Sequence, residues 1–239
     1  PGVSANPIGA AWNGTIGLPF PSTDVTIRDD AFNVLPPWTG EGDIERHTGE
    51  VCVSGPQVMK GYWNNPAETA KVLQDGWLKT GDIGHLDASG YVSITDRKKD
   101  LIVTSGGKKI APQPLENQLK ADPLVAEAVI IGEQRNFPAA LIVPDFPRLK
   151  AWAERVGLPP LAGEQLAERP EVQRLYQDIL DRLNESLAQF ERVKRFAVLP
   201  SEFTMERGEL TPTMKVRRQV VEQRWKPLID RLYEWPIRP

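Results

Sequence analysis

The sequence predicts an α+β protein built in two parts: a small β-rich, distorted barrel-like subdomain, then a mixed α+β domain. Three observations predict it. Short alternating or β-branched runs, cut by Gly and Pro, crowd residues 1–95. Apolar residues at helical spacing run through 171–190, beside two apolar runs of strand length. The charge also changes along the chain. Residues 1–95 hold 5 Lys and Arg against 11 Asp and Glu, and residues 96–239 hold 24 against 21, so a net −6 meets a net +3.

The elements follow in order. STDVTIRD (22–29), GEVCVSG (49–55) and GYVSITD (90–96) read as strands. Pro21, Pro36-Pro37 and Gly40-Glu41-Gly42 punctuate them. A short helix is predicted over Pro66–Leu73, with Asn65 as N-cap and Pro66 at the first helical position. DRKKD (96–100) is a solvated turn or a linker, placed where the composition changes. LIVTSGGKKIAP (101–112) reads as a hairpin turning on Ser105-Gly106-Gly107. PLENQLKA (114–121) reads as a helix started by Pro114. VAEAVIIGE (125–133) and PAALIVPDF (138–146) are two strands. Val172, Leu175, Tyr176, Ile179, Leu183 and Leu187 form one helical stripe over 171–190. VKRFAVLP (193–200) is a further strand, and a last helix is expected from Thr211 or Thr213 through Trp225.

Composition excludes several classes. With 40% hydrophobic and 26% charged residues, the chain is an ordinary globular one and not a disordered one. No apolar stretch reaches the roughly 18 residues of a transmembrane helix. One cysteine, Cys52, excludes a disulfide framework and a four-Cys zinc site; it alternates with Val51 and Val53 as a buried strand cysteine would. His47 and His85 lack metal-ligand spacing and read as surface or loop histidines, so no metal site is predicted. A net +3 is too small for a nucleic-acid footprint but enough to meet a few phosphates.

Three segments could carry chemistry. WLKTGD (77–82) aims Asp82 out of a strand end, and a carboxylate suits two ribose hydroxyls; Thr-Gly-Asp is also an ordinary turn. TSGGKKI (104–110) lets backbone approach a ligand closely, though a hairpin turn explains its glycines equally well. LTPTMKVRR (210–218) places Lys215 at or near a helix N-terminus, where its charge conflicts with the helix dipole unless an anion binds. A solvated lysine remains the alternative.

The combination is more specific than its parts. GEVCVSGPQVMKGYWNNPAET (49–69), DGWLKTGDIGHLDASGYVSITDRKKDLIVTSGGKKIAPQPLE (75–116) and ELTPTMKVRR (209–218) closely resemble, in order and spacing, the downstream motifs of the AMP-forming acyl-CoA synthetase superfamily. The ending ELTPTMKVRRQVVEQRW and the long segment before it look like the long-chain fatty-acid–CoA ligases, where Met214 occupies a position that is glycine in shorter-chain relatives.

This resemblance implies the following. Residues 1–95 are the β-rich end of a large N-terminal adenylation domain, 96–100 a hinge linker, and 101–239 a mobile C-terminal lid. Asp82 and Arg97 bind the nucleotide ribose, and Lys99 is the hinge. Ser105, Gly106 and Gly107 line the CoA channel, and Lys215 is catalytic, bridging acyl carboxylate and α-phosphate. The reaction is fatty acid, ATP and CoA to acyl-CoA, AMP and pyrophosphate through acyl-AMP. The alternatives are a fatty-acyl-AMP ligase, a peptide-synthetase adenylation domain, or a noncatalytic nucleotide- or partner-binding module. The chain opens PGVSANP without methionine, and the phosphate loop and Tyr-Gly-x-Thr-Glu segment are not in it, so a catalytically silent C-terminal fragment is expected. Magnesium is expected mainly in the N-terminal part. The implied setting is cytoplasmic, with peripheral membrane contact left open, no nucleic-acid partner, and no oligomeric state specified.

Overall fold

The computed structural model describes residues 2–159 and 162–234. It divides into two compact units, Pro1–Leu101 and Ile102–Pro239. The first is β-rich and the second mixes helices with a sheet, the α+β class the sequence predicts.

In the first unit β1 (Ser4–Ala5) pairs antiparallel with β2 (Leu18–Pro19). Then come β3 (Asp24–Arg28), β4 (Val34–Leu35), β5 (Gly49–Ser54), helix α1 (Pro66–Val72), β6 (Leu73–Gln74), β7 (Trp77–Leu86) and β8 (Val92–Arg97). The six strands from β3 onward form one antiparallel sheet in the order β4-β3-β5-β7-β6, with β8 also on β7. Ile27, Val51, Val53 and Val92 are its buried cluster. Asn65 caps α1 by accepting the Glu68 N–H at 3.2 Å. The helix stops at Val72 because Leu73 is extended and enters β6.

The second unit begins with a hairpin of β9 (Ile102–Val103) and β10 (Lys109–Ile110). Helix α2 (Pro112–Lys120) follows, starting two residues before the predicted Pro114. The first turn leaves its N–H groups unpaired in any case, so it admits both prolines. β11 (Val125–Ile131) and β12 (Ala139–Pro144) are antiparallel. Next come α3 (Phe146–Arg155), α4 (Gly163–Ala167), α5 (Pro170–Glu185), β13 (Arg195–Val198), α6 (Arg218–Arg224) and α7 (Lys226–Tyr233). β13 pairs parallel to β12.

Strand alternation sends side chains to two cores. Ala128, Ile130, Ala140 and Ile142 pack with Leu115 and Leu119 of α2, Leu149 of α3 and the α5 stripe. Val129, Ile131, Leu141 and Val143 pack with Val221 of α6 and Ile229 of α7. Helices on both faces explain why β11 and β12 read as nearly unbroken apolar runs. In α5, Val172, Tyr176, Ile179 and Leu183 are buried as predicted, and the Tyr176 hydroxyl donates to the Leu124 carbonyl at 2.8 Å. The helix ends at Glu185, so Leu187 packs on the core from beyond it.

The helices depart from the sequence reading in two places. Helices α3 and α4 are not among the predicted elements, although Asp145 caps α3 by accepting the Arg148 N–H at 3.1 Å. The single last helix is instead two, the first beginning only at Arg218.

Candidate functional site

Asp82 does not stand at a strand end. It lies inside the ten-residue β7, on a bulge. Against β5 the register passes from Cys52↔Lys79 to Glu50↔Ile83, so Thr80, Gly81 and Asp82 together face Val51. Gly81 makes this possible with φ +75°, a conformation that favours glycine. The bulge removes backbone groups from the ladder, and side chains replace the lost partners. The Thr80 hydroxyl donates to the Val51 carbonyl at 2.7 Å and accepts the Asp82 N–H at 3.1 Å. A Glu50 carboxylate oxygen accepts the Gly81 N–H at 3.1 Å.

Arg97 stands directly opposite Asp82 on β8, and its Nε lies 2.7 Å from the Asp82 carboxylate. The two predicted nucleotide residues are therefore brought together, on a partly exposed surface. DRKKD begins within β8, where Asp96 is buried. Lys98, Lys99 and Asp100 form a single 3-10 turn. Lys98 is ion-paired to Glu50 at 2.9 Å and to Asp30 at 3.3 Å. Burial alone would lower its ammonium pKa, but Glu50 and then Asp30 outweigh that and raise it. Lys99 is exposed, two residues before the boundary between the units.

In the second unit, Ser105, Gly106 and Gly107 form the exposed turn between β9 and β10. The Ser105 N–H donates to the Arg135 carbonyl at 2.9 Å, and its hydroxyl meets Asn136 at 2.8 Å. Gly107, with φ +75°, is required by the turn. Gly106 is not: its φ is outside the left-handed region, and an added Cβ would meet open space.

Lys215 is not at a helix N-terminus. It lies on a tight hairpin closed by the Leu210↔Val216 bridge. The Thr211 N–H donates to the Lys215 carbonyl at 2.8 Å, and the Arg217 N–H to the Glu209 carbonyl at 2.8 Å. The Thr211 hydroxyl accepts the Lys215 N–H at 3.0 Å, a local bond that competes with helix formation. Met214 sits at φ +61°. Lys215 is exposed on this braced turn, three residues before α6 begins at Arg218.

Buried carboxylates brace that turn on both sides. Glu209 is fully buried; it lies 2.8 Å from Arg207 Nε and 3.2 Å from Arg224 Nε, and accepts the Thr204 N–H. After the turn, Arg218 reaches Glu116 at 2.6 Å and the Ile130 carbonyl at 2.5 Å. Glu116 also accepts the Ile130 N–H at 2.8 Å. Glu50, Thr80, Glu116 and Glu209 go unrecognised in the sequence. For Glu50 and Glu209 the only signal is an acid beside an apolar strand or a basic run.

Cys52 is fully buried on β5, as its alternation predicts. His85 is not a surface residue: it is half-buried on β7, edge-on to Trp38 at 5.7 Å between centroids, and burial lowers its pKa. Among the described residues, no three His, Cys, Asp or Glu gather as ligands for a metal ion. No helix among them is long and apolar enough to cross a membrane.

The chain is similar to known proteins. The AMP-binding enzyme C-terminal domain family matches residues 99–235, and the AMP-binding enzyme family matches residues 2–63. The chain is 38% identical over 221 residues to the long-chain-fatty-acid–CoA ligase FadD15 of Mycobacterium tuberculosis, covering 92% of this chain and 34% of that protein. It is 36% identical over 225 residues to human long-chain-fatty-acid–CoA ligase 1, covering 92% of this chain and 31% of that one. Among solved structures, the ATP-bound RpMatB-BxBclM chimera B1 superposes with a TM-score of 0.66 at 26% identity, over 94% of this chain and 38% of that one. The o-succinylbenzoate CoA synthetase of Bacillus subtilis, in complex with its acyl-adenylate intermediate, gives 0.61 at 28% identity, over 87% and 35%. The chain thus spans about a third of the length of these curated relatives. With one family domain matched across most of the second unit and another across the start of the first, the chain belongs to the AMP-binding enzymes and is similar to the long-chain fatty-acid–CoA ligases among them.

Proposed function

We propose that this chain works as the C-terminal part of a long-chain fatty-acid–CoA ligase. The observation that carries the reading is the 38% identity to FadD15 across 92% of the chain. In the first half-reaction a fatty-acid carboxylate oxygen attacks the α-phosphorus of ATP. An O–P bond forms, the bond to the β-phosphate breaks, and acyl-AMP and pyrophosphate result. In the second, the CoA thiolate attacks the acyl carbon and AMP leaves.

Each assigned residue has a task that its setting supports. Asp82, held forward by the Gly81 bulge, accepts from the ribose hydroxyls, and Arg97, 2.7 Å away, orients that carboxylate. Lys215 neutralises the carboxylate and α-phosphate as they meet; its braced hairpin fixes the backbone from which the ammonium extends. Lys99 is the pivot, consistent with its place in a short solvated turn. Gly106, which the fold itself does not require, lets the pantetheine arm pass close to the Ser105–Gly107 backbone.

The test is Lys215→Ala in the full-length enzyme. Pyrophosphate exchange should fall roughly 100- to 1,000-fold, the effect of losing one preorganised charge worth about 3–4 kcal/mol. Thioester formation from supplied acyl-AMP should largely survive. Equal loss in both assays would remove Lys215 from this role.

A further inference from the structure

We propose that Glu50 is the positioning residue for Asp82: it holds the Gly81 bulge from beneath through the Gly81 N–H, while Lys98 clamps its other oxygen. The proposal rests on the reading of Asp82 as a nucleotide ligand.

The bulge is the reason such a residue is needed. Three residues of β7 face one residue of β5, so the ladder cannot pair the backbone of Thr80, Gly81 and Asp82 there. An unpaired N–H away from water is unfavourable, and a glycine at the crown gives the loop freedom to move. Thr80 supplies one local bond, to Asp82 N–H. The other comes from a different strand. Glu50 extends one carboxylate oxygen to the Gly81 N–H at 3.1 Å and the other to Lys98 Nζ at 2.9 Å.

The Glu50 side chain is only 10% exposed, in a strand whose next three residues are buried and apolar. A carboxylate in that setting is unfavourable unless it is paired and hydrogen-bonded, and here it is both. Lys98 makes the pair and is itself tied to Asp30. Its neighbour Arg97 meets Asp82 from the opposite side. Asp82 is thus supported through two consecutive basic residues: Arg97 on the carboxylate itself, and Lys98 through Glu50 and the Gly81 backbone.

The experiment measures KM for ATP and kcat in pyrophosphate exchange, using the full-length enzyme and four variants. Asp82→Ala raises KM for ATP if the nucleotide reading holds. Glu50→Ala should raise it about fivefold with kcat within about twofold, the size of one charge-assisted hydrogen bond acting indirectly. Glu50→Gln keeps an acceptor for the Gly81 N–H but turns an amide NH2 towards Lys98, so KM should recover from the Ala value to about two- to threefold above wild type. A Gln variant as damaged as the Ala variant would overturn the proposal, as would an unchanged KM in Glu50→Ala. If Glu50→Ala does not fold by its thermal transition, Lys98→Met reads the same contact: it should raise KM about two- to threefold, and no rise overturns the proposal. An Asp82→Ala enzyme with unchanged KM overturns the nucleotide reading itself, and this proposal with it.

Discussion

Cys52 and Glu50 sit two positions apart on β5, and the sheet gives them opposite fates. Glu50 finds a lysine, whereas Cys52 is sealed between Val51 and Val53. Burial first, and then the negative charge of Glu50, pushes the Cys52 thiol from an ordinary 9.0 up to about 11. The folded pKa lies above the unfolded one. The contribution of the neutral buried thiol is therefore full below pH 9 and is lost as pH rises towards 11. Urea unfolding of wild type and Cys52→Ala across that range should show the stability gap between them narrowing; a constant gap would mean that the thiol titrates normally. The burial of Cys52 is legible in the sequence, because Val-Cys-Val places it within an apolar run. The role of Glu50 is not. An acid at the start of a strand reads as solvated until the register sets it beneath a bulge that exists only in the paired sheet.

The Lys215 hairpin shows the same limit for a whole element. Thr211, Pro212 and Thr213 satisfy the local rules for starting a helix, so the sequence predicts one there. The fold decides otherwise through bonds that no local window contains. Arg218 reaches Glu116 and Ile130, 102 and 88 residues earlier, and these contacts fix where α6 begins. The β9–β10 hairpin and α1, by contrast, are readable from Ser-Gly-Gly and Asn-Pro alone, since their determining contacts are adjacent in sequence. Met214 supplies a test of the Lys215 hairpin. It is exposed and holds φ +61°, which an L side chain adopts at a penalty. Met214→Gly should therefore gain about 0.5–1 kcal/mol in urea unfolding, and Met214→Val should lose a similar amount. If α6 instead extended back through this segment, glycine would destabilise the protein.

At the scale of the molecule, the two units are unequally provided with core. Among the described residues, the first has one cluster, of Ile27, Val51, Val53 and Val92. The second, among the described residues, has two clusters, one on each face of its sheet. Residues 102–239 alone should therefore unfold in one cooperative thermal transition, while residues 1–101 alone should be marginal, with a Tm lower by roughly 10 °C or more. Calorimetry on the two pieces checks this, and a second unit without a transition would refute it. The path of the chain through that unit limits how it can be divided. β13 joins β12 in parallel only after three helices have intervened. A product cut between Pro144 and Arg195 keeps β12 but leaves it a bare edge, apolar on both faces, that can template strand exchange with another copy. Proteolytic nicking anywhere between α3 and α5 followed by loss of the tail would thus yield an aggregation-prone species rather than a smaller soluble domain.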